Sequence, residues 1–296
     1  MSNLSPVPVG SAKYLTQLGL VNQAGRGLPG VLVICLVIAA VSVGAGVARG
    51  ALTAGDVTGL DVFTELDRRH NTNYQDFEVP LTMELWRRGA TKPVERSLRI
   101  KQLEGDAETG HKVLVVFDKP ASIRGTALLT HTHADADDDQ WLYLPAFARV
   151  KKIASRNRTG SFVQSEFSFE DLVVPYIEKY TYTLVGEETL DGEPCVVVER
   201  RSKDRFSGYS KEVFWIDTKH YRVLQVHYFD RNDRHKKVLR LSDYRAYSDL
   251  LWKPHLMVMD NLVSGRSTTL RWGEFDFGRD LQADRDFSVA SLRRSQ

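Results

Sequence analysis

Residues 79–85 read VPLTMEL, and most of the chain repeats their two-residue alternation of side chains. Val79, Leu81, Met83 and Leu85 alternate with residues of other kinds, which is the pattern of a β-strand with one buried face. Segments of this type recur down the chain, separated by turn signals rich in glycine and aspartate. Because turns this short join antiparallel neighbours, the sequence predicts an antiparallel meander.

About eleven strands are predicted in all. The other ten are VERSLRI, HKVLVVFDKP, GTALLTHTH, KYTYTLVGEE, PCVVVERR, KEVFWID, YRVLQVHYFD, KKVLRLSDY, PHLMVMDNL and STTLRWGEF. Each strand pair adds right-handed twist, so a meander of this length curls and encloses either its own side chains or a cavity. The predicted fold class is mainly β (α+β), a strongly curled antiparallel sheet with a few covering helices.

Two segments depart from the strand period and are candidates for a lid. Residues 55–70 read GDVTGLDVFTELDRRH, in which Val62, Phe63 and Leu66 fall at helical spacing behind Asp56 or Thr58 as N-cap. The second segment, SEFSFEDLV at residues 165–173, mixes acidic and aromatic residues and is expected to form a short helix or an irregular stretch.

The N-terminal region has the composition of an export signal. The first 50 residues carry three basic side chains and no acidic one, and an apolar run at residues 31–43 is followed by small residues ending at Ala48. This order predicts a signal peptide over residues 1–48 and a mature domain over 49–296 in the periplasm. An uncleaved leader tethering the protein to the inner membrane is the alternative.

Residues 131–146, HTHADADDDQWLYLPA, raise the question of a metal site. His131 and His133 would share one face of a strand, but the following aspartates lack the glycine and terminal glutamate of a helix-flanked calcium loop. We therefore interpret the stretch as an exposed acidic hairpin tip leading into an apolar strand, and expect no metal and no cofactor.

Other chemistry finds little support in the sequence. No glycine-flanked nucleophilic serine, no Cys–His pair and no phosphate-binding glycine loop is recognisable, and we expect Cys195 to be a core residue and the protein not to be an enzyme. Beyond residue 50 the chain carries 37 basic and 38 acidic side chains, a balance that gives no argument for nucleic-acid binding.

A basic stretch, RVKKIASRNR at residues 149–158, remains open between two interpretations. It is either a solvated face or a contact for anionic head groups or an acidic partner. The candidate contact residues are Arg149, Lys151, Lys152, Arg156 and Arg158.

The segments RGTALLT, DDDQWLYLPAFARVKKI, SRNRTGSFVQSEFSFEDL and GYSKEVFWID, together with EKYTYTLVGEETLDGEPCVVVE, resemble the outer-membrane lipoprotein-sorting proteins of the LolA-like superfamily. The resemblance extends from about Leu60 to the C-terminus. It implies a periplasmic, helix-capped, incomplete antiparallel β-barrel whose apolar cavity takes up acyl chains of lipids or lipoproteins. It also implies a role in lipid trafficking, with an inner-membrane transporter of the resistance-nodulation-division type as a candidate partner.

Strand alternation then suggests which side chains line such a cavity. Where both faces of a strand are apolar, as in WLYL, the opposite face remains open, and Met257 and Met259 have core filling as an alternative role. A non-catalytic adaptor of a transporter and an exported hydrolase remain the competing functions, and we expect a monomer. The predicted lining residues are Leu81, Met83, Leu85, Leu98, Ile100, Trp141, Tyr143, Phe214, Ile216, Met257 and Met259.

Overall fold

The structure, a computed structural model, describes residues 57–72 and 74–294. The predicted signal peptide and its cleavage point lie outside the described residues. The elements of the described part are α1 (Gly59–His70), β1 (Asp76–Trp86), β2 (Val94–Leu103), β3 (Lys112–Lys119), β4 (Ala127–His131), β5 (Asp139–Leu144), β6 (Arg149–Ile153), β7 (Tyr180–Leu190), β8 (Glu193–Ser202), β9 (Tyr209–Asp217), β10 (Val223–Asp230), β11 (His235–Ala246), β12 (Trp252–Asn261), β13 (Ser267–Trp272), β14 (Asp276–Phe277) and α2 (Ala283–Asp286), with short 3₁₀ turns between them.

All fourteen strands belong to one antiparallel sheet. Thirteen follow one another in the order β6-β5-β4-β3-β2-β1-β13-β12-β11-β10-β9-β8-β7, and the short β14 pairs with β1. The edge strands β6 and β7 do not pair with each other, so the sheet is not closed. The predicted mainly β fold, an incomplete curled barrel, is confirmed.

The two edges nevertheless face each other. Asp138, just before β5, lies 2.5 Å from the Nζ atom of Lys179, just before β7, and its carboxylate also accepts a hydrogen bond from Arg158 at 3.3 Å. Residues 154–179 run from one edge strand to the other. The gap in the barrel is therefore bridged by a connecting segment and by ion pairs.

The sheet has three strands more than the eleven predicted. β5 is the apolar strand expected after the acidic tip but not counted among the eleven, and β6 (RVKKI) buries only Ile153 and has the composition of a solvated segment. β14 comprises two residues, too few to show a period.

Helix α1 forms as its sequence predicts. Thr58 is the N-cap: its hydroxyl accepts a hydrogen bond from the backbone N–H of Asp61, and the Asp61 carboxylate accepts one from the N–H of Thr58. This reciprocal capping box satisfies two donors that the first turn would otherwise leave unpaired. Val62, Phe63 and Leu66 form the buried face.

The C-terminal segment covers the convex side of strands β3–β5. Leu281, Phe287 and Leu292 pack there against strand residues such as Leu129. Asp76 fixes the start of the segment, because its carboxylate accepts hydrogen bonds from two backbone N–H groups between residues 279 and 281. Within the described residues, no helix is both long and apolar enough to cross a membrane.

Candidate functional site: the concave face and its two covers

The concave face of the sheet carries one continuous apolar core. Its members come from β1 to β4, β6 and β8 to β13, and most are less than a tenth exposed. Nine of the eleven predicted lining residues lie in this core or pack against it. They are Leu81, Met83, Leu98, Ile100, Phe214, Ile216 and Met259, which are buried, and Leu85 and Met257, which are half-buried.

The other two predicted lining residues, Trp141 and Tyr143, lie on the wrong face. Tyr143 belongs to the convex cluster under the C-terminal segment, and Trp141 packs against that cluster. Their strand neighbour Leu142 contacts the concave core instead. All the residues of WLYL suit an apolar face, so only the C-terminal segment, distant in sequence, determines which pair points outward.

Helix α1 is the first of two covers over the concave core. The Phe63 ring lies 4.5 Å from the Tyr182 ring and 5.0 Å from the Phe214 ring, measured between centroids. Gly59 brings the helix start against β7 and β8, since a Cβ atom there would meet Val198 at 2.9 Å. This end of the helix is held by apolar contact.

The C-terminal end of α1 is held by hydrogen bonds. The backbone N–H of Trp252 donates to Nδ1 of His70 at 3.3 Å, and the opposite ring nitrogen lies 2.9 Å from the carbonyl oxygen of His220. Nδ1 must accept, so the ring is neutral with its proton on Nε2. Desolvation lowers the pKa of His70 to about 4. Lys253 donates to the His70 carbonyl oxygen at 2.7 Å.

The second cover is the plug segment, which we define as residues 158–174. Phe162, Phe167 and Phe169 insert into the concave core, and the Phe162 ring lies 5.6 Å from that of Phe117 on β3. The predicted SEFSFEDLV stretch thus forms irregular structure with one 3₁₀ turn, Glu170–Leu172. Both predicted lid candidates lie over the concave face.

Buried polar groups anchor the plug segment at its turn. The Arg96 guanidinium, on β2, donates to the carbonyl oxygen of Val163, which has a φ of 44° that is unfavourable for a β-branched residue. The Glu166 carboxylate accepts from Asn261 at 2.7 Å and pairs with Arg266 at 2.7 Å. These contacts tie the turn to β2 and to the β12–β13 hairpin.

A buried ion pair anchors the other end of the plug segment. The Asp171 carboxylate lies 2.7 Å from Nζ of Lys237, with side-chain exposures of 3% and 4%, and it also accepts a hydrogen bond from the Tyr209 hydroxyl at 2.8 Å. Hydrogen bonds thus occupy the acceptor positions of the Asp171 carboxylate that the ion pair leaves open, as a buried charge requires. Removing the plug segment would leave Lys237 unpaired.

A polar cavity of about 430 Å³ lies between the plug segment and the β8–β9 loop. Its wall includes the Arg200–Glu212 ion pair, at 2.7 Å, and Glu170, whose carboxylate accepts from the Gly208 N–H at 3.1 Å. Desolvation, together with the charge of Asp171, raises the pKa of Glu170 to about 7. This charged lining does not suit an acyl chain. A chain would have to occupy the apolar core, where the protein's own side chains now lie.

The predicted contact residues of the basic stretch are partly exposed and partly buried. Arg149, Lys151, Lys152 and Arg156 are exposed. Arg158 is not an available contact, because its side chain is 8% exposed and pairs with Asp138 and Asp204. That part of the prediction is corrected: Arg158 bridges the gap between the sheet edges.

The acidic stretch is a hairpin, as predicted, but it is not exposed throughout. Asp138 is buried in the ion pairs described above, and His131 lies with one ring nitrogen 2.7 Å from the carbonyl oxygen of Phe287. Asp137 at the tip accepts a hydrogen bond from Ser155. No group of three or more His, Cys, Asp or Glu side chains in the described part of the chain is arranged to hold a metal ion.

Sequence reasoning missed the polar anchors of the plug segment. Arg96 and Lys237 stand in phase with apolar neighbours on the buried face of their strands, Arg96 with Leu98 and Lys237 with Leu239. The sequence did offer a signal, an arginine or lysine at an inward-facing strand position, since such residues are seldom buried without a partner.

Comparisons with known proteins agree with this architecture. A family model whose description reads "-like: Uncharacterized protein" matches residues 109–294. No curated protein matches the chain.

Three solved structures are similar. A domain from Vibrio parahaemolyticus, named for outer-membrane lipoprotein sorting, is 39% identical with a TM-score of 0.76, covering 80% of this chain and 98% of that one. A DUF1329 family protein from Desulfovibrio piger is 30% identical with a TM-score of 0.73, covering 79% and 97%. A LolA superfamily protein from Nitrosomonas europaea, 18% identical with a TM-score of 0.63, covers 79% and 99% and shares the fold. The chain belongs to the family of the first two of these proteins, the outer-membrane lipoprotein-sorting domain and the DUF1329 protein.

Proposed function

We propose that this protein is a non-catalytic periplasmic carrier that binds the acyl chains of a lipid or lipoprotein against its concave face. The observation that carries the proposal is the continuous apolar core of an unclosed sheet, completed by two segments that are not strands of it. The names of the relatives support lipoprotein sorting. The predicted signal peptide supports export.

In this proposal an acyl chain takes the place of a cover. Burial of each CH₂ group contributes about 0.8 kcal/mol, so a chain can replace the apolar contacts that α1 gives up. Met83 and Met259 are fully buried at the centre of the core, and their unbranched side chains can adapt to a ligand of varying shape. An inner-membrane transporter is the proposed donor or acceptor of the cargo.

A titration with a fluorescent fatty acid tests the proposal. Leu85→Glu and Met257→Glu each place a charge at a half-buried position of the concave face. A charge there should weaken binding by at least tenfold, because its desolvation costs several kcal/mol. Thr82→Glu is the matched control on the convex face of the same strand as Leu85 and should bind as wild type does.

Circular dichroism separates loss of binding from loss of folding. Variants that fold and bind the fatty acid as tightly as wild type would refute the carrier function and favour the adaptor. Hydrolysis of an ester substrate by the purified protein would favour the hydrolase.

A further inference from the structure

Along strands β6 to β12, one rim of the sheet brings together four hairpin turns. In an antiparallel sheet alternate turns lie at the same end, so the turns at residues 87–93, 120–126, 145–148 and 262–266 share a rim. The strands they connect are consecutive along the sheet, from β6 to β12. We call this the basic rim.

The four turns contain no acidic residue. Six exposed arginine and lysine side chains stand in the turns or directly beside them with no acidic side chain of the described residues within ion-pair distance, whereas Arg266, at the end of one turn, pairs with Glu166. The six exposed cations are Arg87, Arg88, Lys92, Lys119, Arg124 and Arg149.

The same rim exposes large apolar side chains. Val263 is 77% exposed, Phe147 is 69% exposed and Leu262 is 52% exposed, while Val94, at the start of β2, is 47% exposed. Val263 and Leu262 form the tip of the β12–β13 turn, which lies beside the β1–β2 turn. Apolar tips set among unpaired cations have no partner within the described protein.

Along the same strands, the opposite rim has the reverse character. Its turns at residues 104–111, 132–138 and 247–251 contain aspartate and glutamate but no lysine or arginine. In this part of the sheet the near-zero net charge of the region beyond residue 50 thus conceals a separation of charge along the strand direction. Such a separation orients a protein in front of a charged surface.

We propose that the basic rim docks on an anionic membrane surface. The cations bind lipid phosphates, and Phe147, Leu262 and Val263 insert between the head groups, a combination of charge and apolar area that suits a bilayer interface. Arg266, which follows the apolar tip, pairs with Glu166 of the plug segment, so docking places the plug segment next to the bilayer. The interface does not depend on what the concave face carries.

A polarity-sensitive fluorophore tests the docking in the full chain. It is attached through Val263→Cys in a Cys35→Ser background, in which the remaining cysteine, Cys195, is buried. Vesicles of equal parts phosphatidylcholine and phosphatidylglycerol should shift the emission to the blue, and phosphatidylcholine vesicles should not. The matched control carries the label through Val289→Cys, at an exposed position of the C-terminal segment, and should show no shift.

Charge reversal on the rim completes the test. Arg88→Glu with Lys119→Glu should weaken the response at position 263 by at least about tenfold, since each cation near an anionic surface contributes roughly fivefold. Lys219→Glu, at an exposed position of the opposite rim, should leave the response unchanged. No shift at position 263, an equal shift at position 289, or equal loss in Lys219→Glu would overturn the proposal.

Discussion

Helix α1 and the plug segment cover the same apolar core by different means. Along most of its length α1 is held by Phe63 and other apolar side chains, with hydrogen bonds at its C-terminal residue, His70. The plug segment adds buried charge to its aromatic contacts, through Asp171 and its pair with Lys237, and through Arg96.

The difference indicates which cover moves. Lifting the plug segment would strand Lys237 and Arg96 without partners in a site of low polarity, at a cost of several kcal/mol for each charge. Lifting the N-terminal end of α1 exposes apolar surface alone, and a bound acyl chain restores that burial. We therefore expect α1 to swing about its C-terminal end while the plug segment stays in place.

Breaking the Lys237–Asp171 ion pair, which anchors the plug segment, should have the largest effect on the free energy of unfolding. Lys237→Met leaves the Asp171 carboxylate buried without its cation and should lower the free energy of unfolding by about 3–5 kcal/mol. Urea denaturation measures this loss. The double variant Lys237→Met with Asp171→Leu removes both charges and should recover most of it. A double variant as unstable as the single one would show that the pair itself, rather than the stranded charge, dominates.

Truncating the apolar anchor of α1 should have a somewhat smaller effect. Phe63→Ala removes the ring that contacts Tyr182 and Phe214 and should lower the free energy of unfolding by about 3 kcal/mol. It should also raise hydrogen exchange in α1 but not in residues 158–174. Leu60→Ala, at a position 49% exposed on the same helix, is the control and should stay within about 0.5 kcal/mol. An equal rise in hydrogen exchange in α1 and in residues 158–174 would contradict the expectation that α1 moves while the plug segment stays in place.

The stability contributed by the two covers should change with pH in opposite directions. The pKa of Glu170 is raised to about 7 in the fold, so its contribution to stability is present below about pH 4.5 and lost as the pH rises through 7. The pKa of His70 is lowered to about 4, so its contribution is present above about pH 6.5 and lost as the pH falls through 4.

Paired variants measure these two contributions. Glu170→Gln should be more stable than wild type at pH 8 and nearly equal to it at acidic pH. His70→Gln should show its largest deficit near neutral pH, a deficit that shrinks as the pH falls toward 4. If the free energy of unfolding of either variant changes with pH in parallel with that of wild type, the substituted residue does not make the contribution described.

The strand alternation was sufficient to predict the sheet, its antiparallel order and the face on which nine of the eleven proposed lining residues lie. It failed at Trp141 and Tyr143, because every residue of WLYL suits an apolar face and the deciding contacts are with the C-terminal segment, far along the chain. It also failed at Arg158 and Asp138, whose burial depends on a long-range ion pair. The period of a strand shows that it has two faces; which face is buried depends on what packs there.

Photo-crosslinking with a fatty acid that carries a diazirine at mid-chain locates the bound acyl chain on the protein. If the acyl chain lies on the concave face under α1, adducts should map to β1, β9 and β12, at or near Met83, Phe214 and Met257. Unlabelled fatty acid should compete for them. Adducts confined to the convex face around Trp215 or to the basic rim, or adducts that unlabelled fatty acid does not displace, would contradict binding on the concave face.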